Sequence, residues 1–103
     1  MSHQENVARH RINESDSVFV KIAKLRDYLS DQASLHPRDS IDRYHRSHLS
    51  HILSDVLPDV DKSEPTITGD RSVMNSFIIY LYDTKNMITD EEFQYITQIL
   101  NLL

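Results

Sequence analysis

The chain has 103 residues, of which 39% are hydrophobic, with a formal net charge of −5 and no cysteine. That length suits one domain with a modest core, and the missing cysteines exclude disulfides and thiolate metal sites. The acidic balance argues against nucleic-acid binding over the whole surface, and no apolar run is long enough to span a bilayer.

Residues 1–14 (MSHQENVARHRINE) mix charges without periodicity and are expected to be a disordered tail ahead of one helical domain, 15–103. They carry no apolar stretch of the secretory kind. With the absence of cysteine, that predicts a cytoplasmic protein. Ser15, Asp16 and Ser17 are good N-caps for a first helix whose stripe is Val18, Ile22, Leu25 and Leu29, widened by Phe19. It frays over residues 30–33, and Leu35-His36-Pro37 breaks the chain, because proline biases the residue before it away from helix.

A second helix is predicted from Asp39 or Ser40 to Leu57, stopping at Pro58. Ile41, Tyr44, Leu49, Ile52, Leu53 and Val56 line one face, with His45 near its middle and His48 at its edge. Arg43 and Arg46 lie away from that apolar centre, and His51 falls on the polar side with Ser47. Residues 58–69 read as an acidic linker with two prolines.

The greasiest stretch follows, at residues 70–82, capped by Thr68 or Asp70. Val73, Met74, Phe77, Ile78 and Leu81 have the spacing of one helical face. No second strand-like segment exists to pair with it, which decides for helix. After a short connection, Thr89-x-x-Glu92 is a capping box, with Ile88 and Phe93 placed as a hydrophobic staple. The last helix, 90–103, carries Phe93, Ile96, Ile99, Leu100 and Leu103. The expected fold is therefore all-α: about four helices, closing in an antiparallel hairpin.

A helix apolar nearly all round wants to be surrounded, which predicts a homodimer. Ile79, Tyr80, Tyr82, Tyr95, Ile99 and Leu102 are the interface candidates.

Positive signs of catalysis are missing. His36, His45, His48 and His51 include i, i+3 pairs, but no HExxH motif and no matching carboxylate accompany them, so no metal is expected. The acidic connection from Asp83 fails as a calcium loop, having Lys85, Met87 and Ile88 where ligands and the turn glycine belong. Gly69 alone cannot form a phosphate-cradling loop, and nothing organises a triad. No catalytic residue and no cofactor are expected.

What remains is electrostatic. Segment 36–51 sets Arg38, Arg43 and Arg46 against Asp39 and Asp42, a formal +1 with neutral histidines. His45, His48 and His51 with those arginines form a candidate pH-responsive partner surface, and His45, desolvated in the stripe, would couple acidity to stability.

Leu25-Arg26-Asp27-Tyr28-Leu29, Leu49-Ser50-His51-Ile52-Leu53-Ser54-Asp55-Val56-Leu57, Ile78-Ile79-Tyr80-Leu81 and the aliphatic cluster from Ile96 to Leu103 follow in order. This arrangement resembles the small enterobacterial biofilm-development and two-component connector proteins, the AriR-like family. The resemblance covers roughly residues 25–103; the N-terminus and the proline-bearing linker are longer here. It implies a non-enzymatic, dimeric regulator of stress, acid resistance or biofilm signalling. The function expected is thus a regulatory adaptor that binds another protein. The alternative is a DNA-binding regulator using segment 36–51 and the N-terminal arm.

Overall fold

Ser17 sets the first long helix in place: its hydroxyl accepts the Val20 amide at 3.2 Å, and no glycine or proline interrupts the following seventeen residues, Val18–Ser34. The computed structural model describes residues 2–60 and 74–103, and these are helices and turns with no strand among them. Five helices are described: α1 (His3–Arg9), α2 (Val18–Ser34), α3 (Ile41–Val56), α4 (Asn75–Asp83) and α5 (Asp90–Leu102). The expected caps of the third helix at Thr68 or Asp70, and most of the linker, lie outside the described residues.

Ser40 caps α3 by accepting the Arg43 amide at 3.2 Å, while its hydroxyl donates to the Pro37 carbonyl at 2.7 Å. Pro58 ends the helix as expected, in a 3-10 turn over Leu57–Asp59. α2 and α3 lie antiparallel and make the most extensive pairing. Halfway along them the Ser50 hydroxyl donates to the Arg26 carbonyl at 2.9 Å. Val18, Ile22, Leu25 and Leu29 face Leu49, Leu53 and Val56 across this seam, all of them buried. Burial along this seam stabilises the fold by about 25 cal/mol per Å² of apolar surface removed from water.

α4 packs on α3 with Phe77 and Leu81 turned inward, and Ile96 and Ile99 of α5, with Leu103 just after it, complete the core beside α2. The Thr89 capping box is present, with the Glu92 amide 3.1 Å from the Thr89 hydroxyl and the Thr89 amide 2.9 Å from the Glu92 carboxylate. Lys21 is buried and donates to the Leu102 carbonyl at 3.0 Å, where the end of α5 leaves carbonyls without helical partners.

Two expectations change. Residues 3–9 are helical where a disordered tail is expected. Ser2 and Glu5 form a second capping box (3.1 and 3.3 Å), and Asn6 is completely buried on α2. The apolar stripe of α3 is also rotated from its expected position. Ile41 and Tyr44 are 65% and 64% exposed, while the inward row is Arg46, Leu49, Ser50, Leu53 and Val56. No described helix is long and apolar enough to cross a membrane.

Candidate functional site

Once Ser40 sets the first turn of α3, residues 41, 44, 48 and 51 follow each other along its outer side at three- and four-residue steps. Tyr44 stacks on His48, with ring centroids 5.9 Å apart and planes 11° from parallel. Tyr80 of α4 closes on both imidazoles: its ring is 4.5 Å from that of His48, and its hydroxyl is 2.7 Å from His45 Nδ1. Burial, with Tyr44 nearby, raises the Tyr80 hydroxyl above the ordinary phenol range, so it stays neutral at physiological pH.

Two adjoining hollows run along this side of α3. One, of about 370 Å³, is lined by Arg38, Asp39, Ser40, Arg43, Tyr44 and Ser47; the next, of about 200 Å³, by Tyr44, Ser47, His48 and His51. Arg38 and Arg43 have no ion pair among the described residues; Arg43 Nη1 reaches only the His36 carbonyl, at 3.5 Å. Of the residues expected on a partner surface, His48, His51, Arg38 and Arg43 lie along these hollows, and His45 is half-buried at their inner edge against Tyr80 rather than in the centre of the stripe.

Arg46 does not belong to that surface. It is 2% exposed and forks onto Glu92, with Nε 2.7 Å from Oε2 and Nη2 2.6 Å from Oε1. Its Nη1 donates to the Asp42 carbonyl at 2.9 Å. Gln32 donates to the same carboxylate at 2.7 Å, and its own side-chain carbonyl accepts from Asn6 at 2.8 Å. Asn6 in turn donates to the Tyr28 carbonyl at 3.0 Å. Burial alone would raise the Glu92 carboxyl. The hydrogen bonds from Arg46, Gln32 and the Thr89 amide override it and bring the group down to about 2. One buried polar chain thus joins α1, α2, α3 and α5.

The interface candidates separate in the same way. Ile79 and Tyr82 are 61% and 52% exposed on the outside of α4. Tyr80 belongs to the ring cluster, and Leu102 is partly buried against the core. Tyr95 packs 4.7 Å from the buried Tyr28, and burial raises its hydroxyl. Ile99, 4% exposed, is a core residue and is withdrawn from the interface.

Sequence reasoning also missed an open groove of about 530 Å³ between α1 and α5, lined among others by His3, Val7, Glu91 and Tyr95. It exists because α1 is a helix. His3 fixes that helix by meeting the Tyr28 hydroxyl at 2.7 Å and Glu91 at 3.4 Å. Among the described residues no three His, Asp or Glu side chains are grouped as metal ligands.

No protein-family model matches the chain, and comparisons with characterised proteins and with solved structures find no match.

Proposed function

We propose that this all-helical protein is a non-enzymatic regulatory adaptor that acts by binding another protein through the outer side of α3, with the exposed side of α4 meeting a second copy. The observation that carries this reading is the exposure of large apolar side chains on those two helices. Ile41, Tyr44, Ile79 and Tyr82 are all more than half exposed, on helices whose inner sides are fully occupied by the core. Exposed apolar patches mark interaction sites, whereas single exposed residues do not. Aromatic anchors such as Tyr44 and Tyr82 contribute disproportionately to interfaces.

On the same reading the protein is a homodimer. α4 and α5 act as a closing hairpin, with Tyr82 against Phe93 at 5.4 Å, and Ile79 and Tyr82 meet a second copy. The resemblance to the AriR-like proteins supports a cytoplasmic role in stress, acid-resistance or biofilm signalling. The DNA-binding alternative loses ground, because Arg46 is committed to Glu92 and only Arg38 and Arg43 of the three arginines remain for it.

The test is affinity capture from the cells that make the protein, comparing the parent with Tyr44→Asp. A protein retained by the parent and lost with the variant, while both melt at the same temperature, supports the reading. Equal retention by both would place binding elsewhere.

A further inference from the structure

We infer that the α3 hollow between Arg38 and Arg43 receives an acidic segment of the partner protein. This rests on the adaptor reading and names the chemistry of what it binds. The chain as a whole carries −5, yet the groups lining the larger hollow are two arginines against the single carboxylate of Asp39. Asp42, the other acid in this turn, is turned from the hollow towards Arg46, with Oδ1 3.9 Å from Nη1. The sign of the charge is thus locally reversed where the surface is concave.

The remaining lining groups suit the same ligand. Ser47 and Tyr44 offer hydroxyls, and most of the guanidinium donors of Arg38 and Arg43 have no partner among the described residues. Arginine's planar fork matches a carboxylate better than any other side chain does. Beside these cations the stacked rings of Tyr44 and His48 present an apolar platform in the adjoining hollow. A segment in which carboxylates alternate with a bulky apolar residue satisfies both hollows at once: acids between Arg38 and Arg43, the apolar side chain on Tyr44.

The probe is a short fluorescein-labelled peptide of repeated Glu-Glu-Leu, titrated with the full-length protein and followed by anisotropy. Its Gln-Gln-Leu counterpart and a short labelled DNA duplex are run beside it. Binding of the acidic peptide is expected to weaken as salt is raised. It should weaken by about tenfold in Arg38→Glu/Arg43→Glu, since two attractions become repulsions, and by much less in Arg38→Lys/Arg43→Lys. Arg38 is exposed and Arg43 half-buried, and matching thermal melts confirm that the variants are folded. If the glutamine peptide binds as well as the acidic one, the arginine variants match the parent and Tyr44→Ala alone abolishes binding, the acidic ligand is wrong while the adaptor face stands. Duplex binding tighter than peptide binding, and lost with the arginine reversal, overturns the inference in favour of nucleic acid. An acidic peptide that does not bind also overturns it, and the capture experiment then decides the adaptor reading separately.

Discussion

At Glu92 one carboxylate closes the Thr89 capping box and receives the fork of Arg46. Both side chains are almost wholly removed from water, so neither charge tolerates the loss of its partner. Arg46→Met leaves the carboxylate buried and uncompensated and should cost about 3–5 kcal/mol in urea unfolding. Adding Glu92→Gln removes the stranded charge while keeping an acceptor for the Thr89 amide, and should recover part of that loss. A double variant less stable than Arg46→Met would contradict this account of the pair. The pH dependence has a definite sign. The folded-state value for Glu92 is depressed, to about 2 from 4.5, so its contribution is complete above about pH 4.5 and is lost as pH falls through 2. Glu92→Gln should flatten the acid limb of a stability–pH curve below pH 4.5 and leave the slope between pH 5 and 8 unchanged. None of this could be read from Arg46 alone. Its partner is forty-six positions away, and helical periodicity assigns a lone arginine to solvent.

The helices themselves were largely legible. Ser17 and Ser40 cap where cap residues stand, and Pro37 and Pro58 stop what precedes them. Thr89-x-x-Glu92 opens α5 as its motif requires. Thr89→Ala should cost roughly 1 kcal/mol, visible as a lowered denaturation midpoint. α1 opens with the same motif at Ser2-x-x-Glu5 but lacks the apolar periodicity that marks the other helices in the sequence. This short helix docks instead by polar contacts: Asn6 on Gln32 and the Tyr28 carbonyl, His3 on the Tyr28 hydroxyl, and His10 on Asp31 at 2.5 Å. A seven-residue helix is marginal in isolation, so those contacts hold it. Asn6→Ala strands the buried Gln32 side-chain carbonyl and removes a second bond from the Tyr28 carbonyl, and should cost about 1–3 kcal/mol locally. Hydrogen exchange should then quicken in residues 3–9 while protection in α2 and α3 persists. Uniform quickening throughout would instead make α1 part of the global folding unit. The misplacement of Ile41 and Tyr44 has a similar origin. α3 turns its inward row to accommodate Arg46 and Ser50, two polar residues that a hydrophobic count leaves out.

Over the whole molecule, the core explains the inner sides of all the described helices and leaves apolar and aromatic side chains outside on α3 and α4. The all-α class and most of the core were legible, since buried apolar residues repeat at helical spacing. Which apolar residues stay outside was not, because that depends on how far each helix rotates about its axis. Ile99 and Ile79 look alike in the sequence, yet one is 4% and the other 61% exposed. The central claim is that this exposed strip is a binding surface, and sedimentation equilibrium at tens of micromolar protein tests its self-association most directly. The account predicts a dimer for the parent and a monomer for Ile79→Asp/Tyr82→Asp, with helical content and melting of the monomer unit preserved. A parent that sediments as a monomer, or a dimer indifferent to both substitutions, would contradict it.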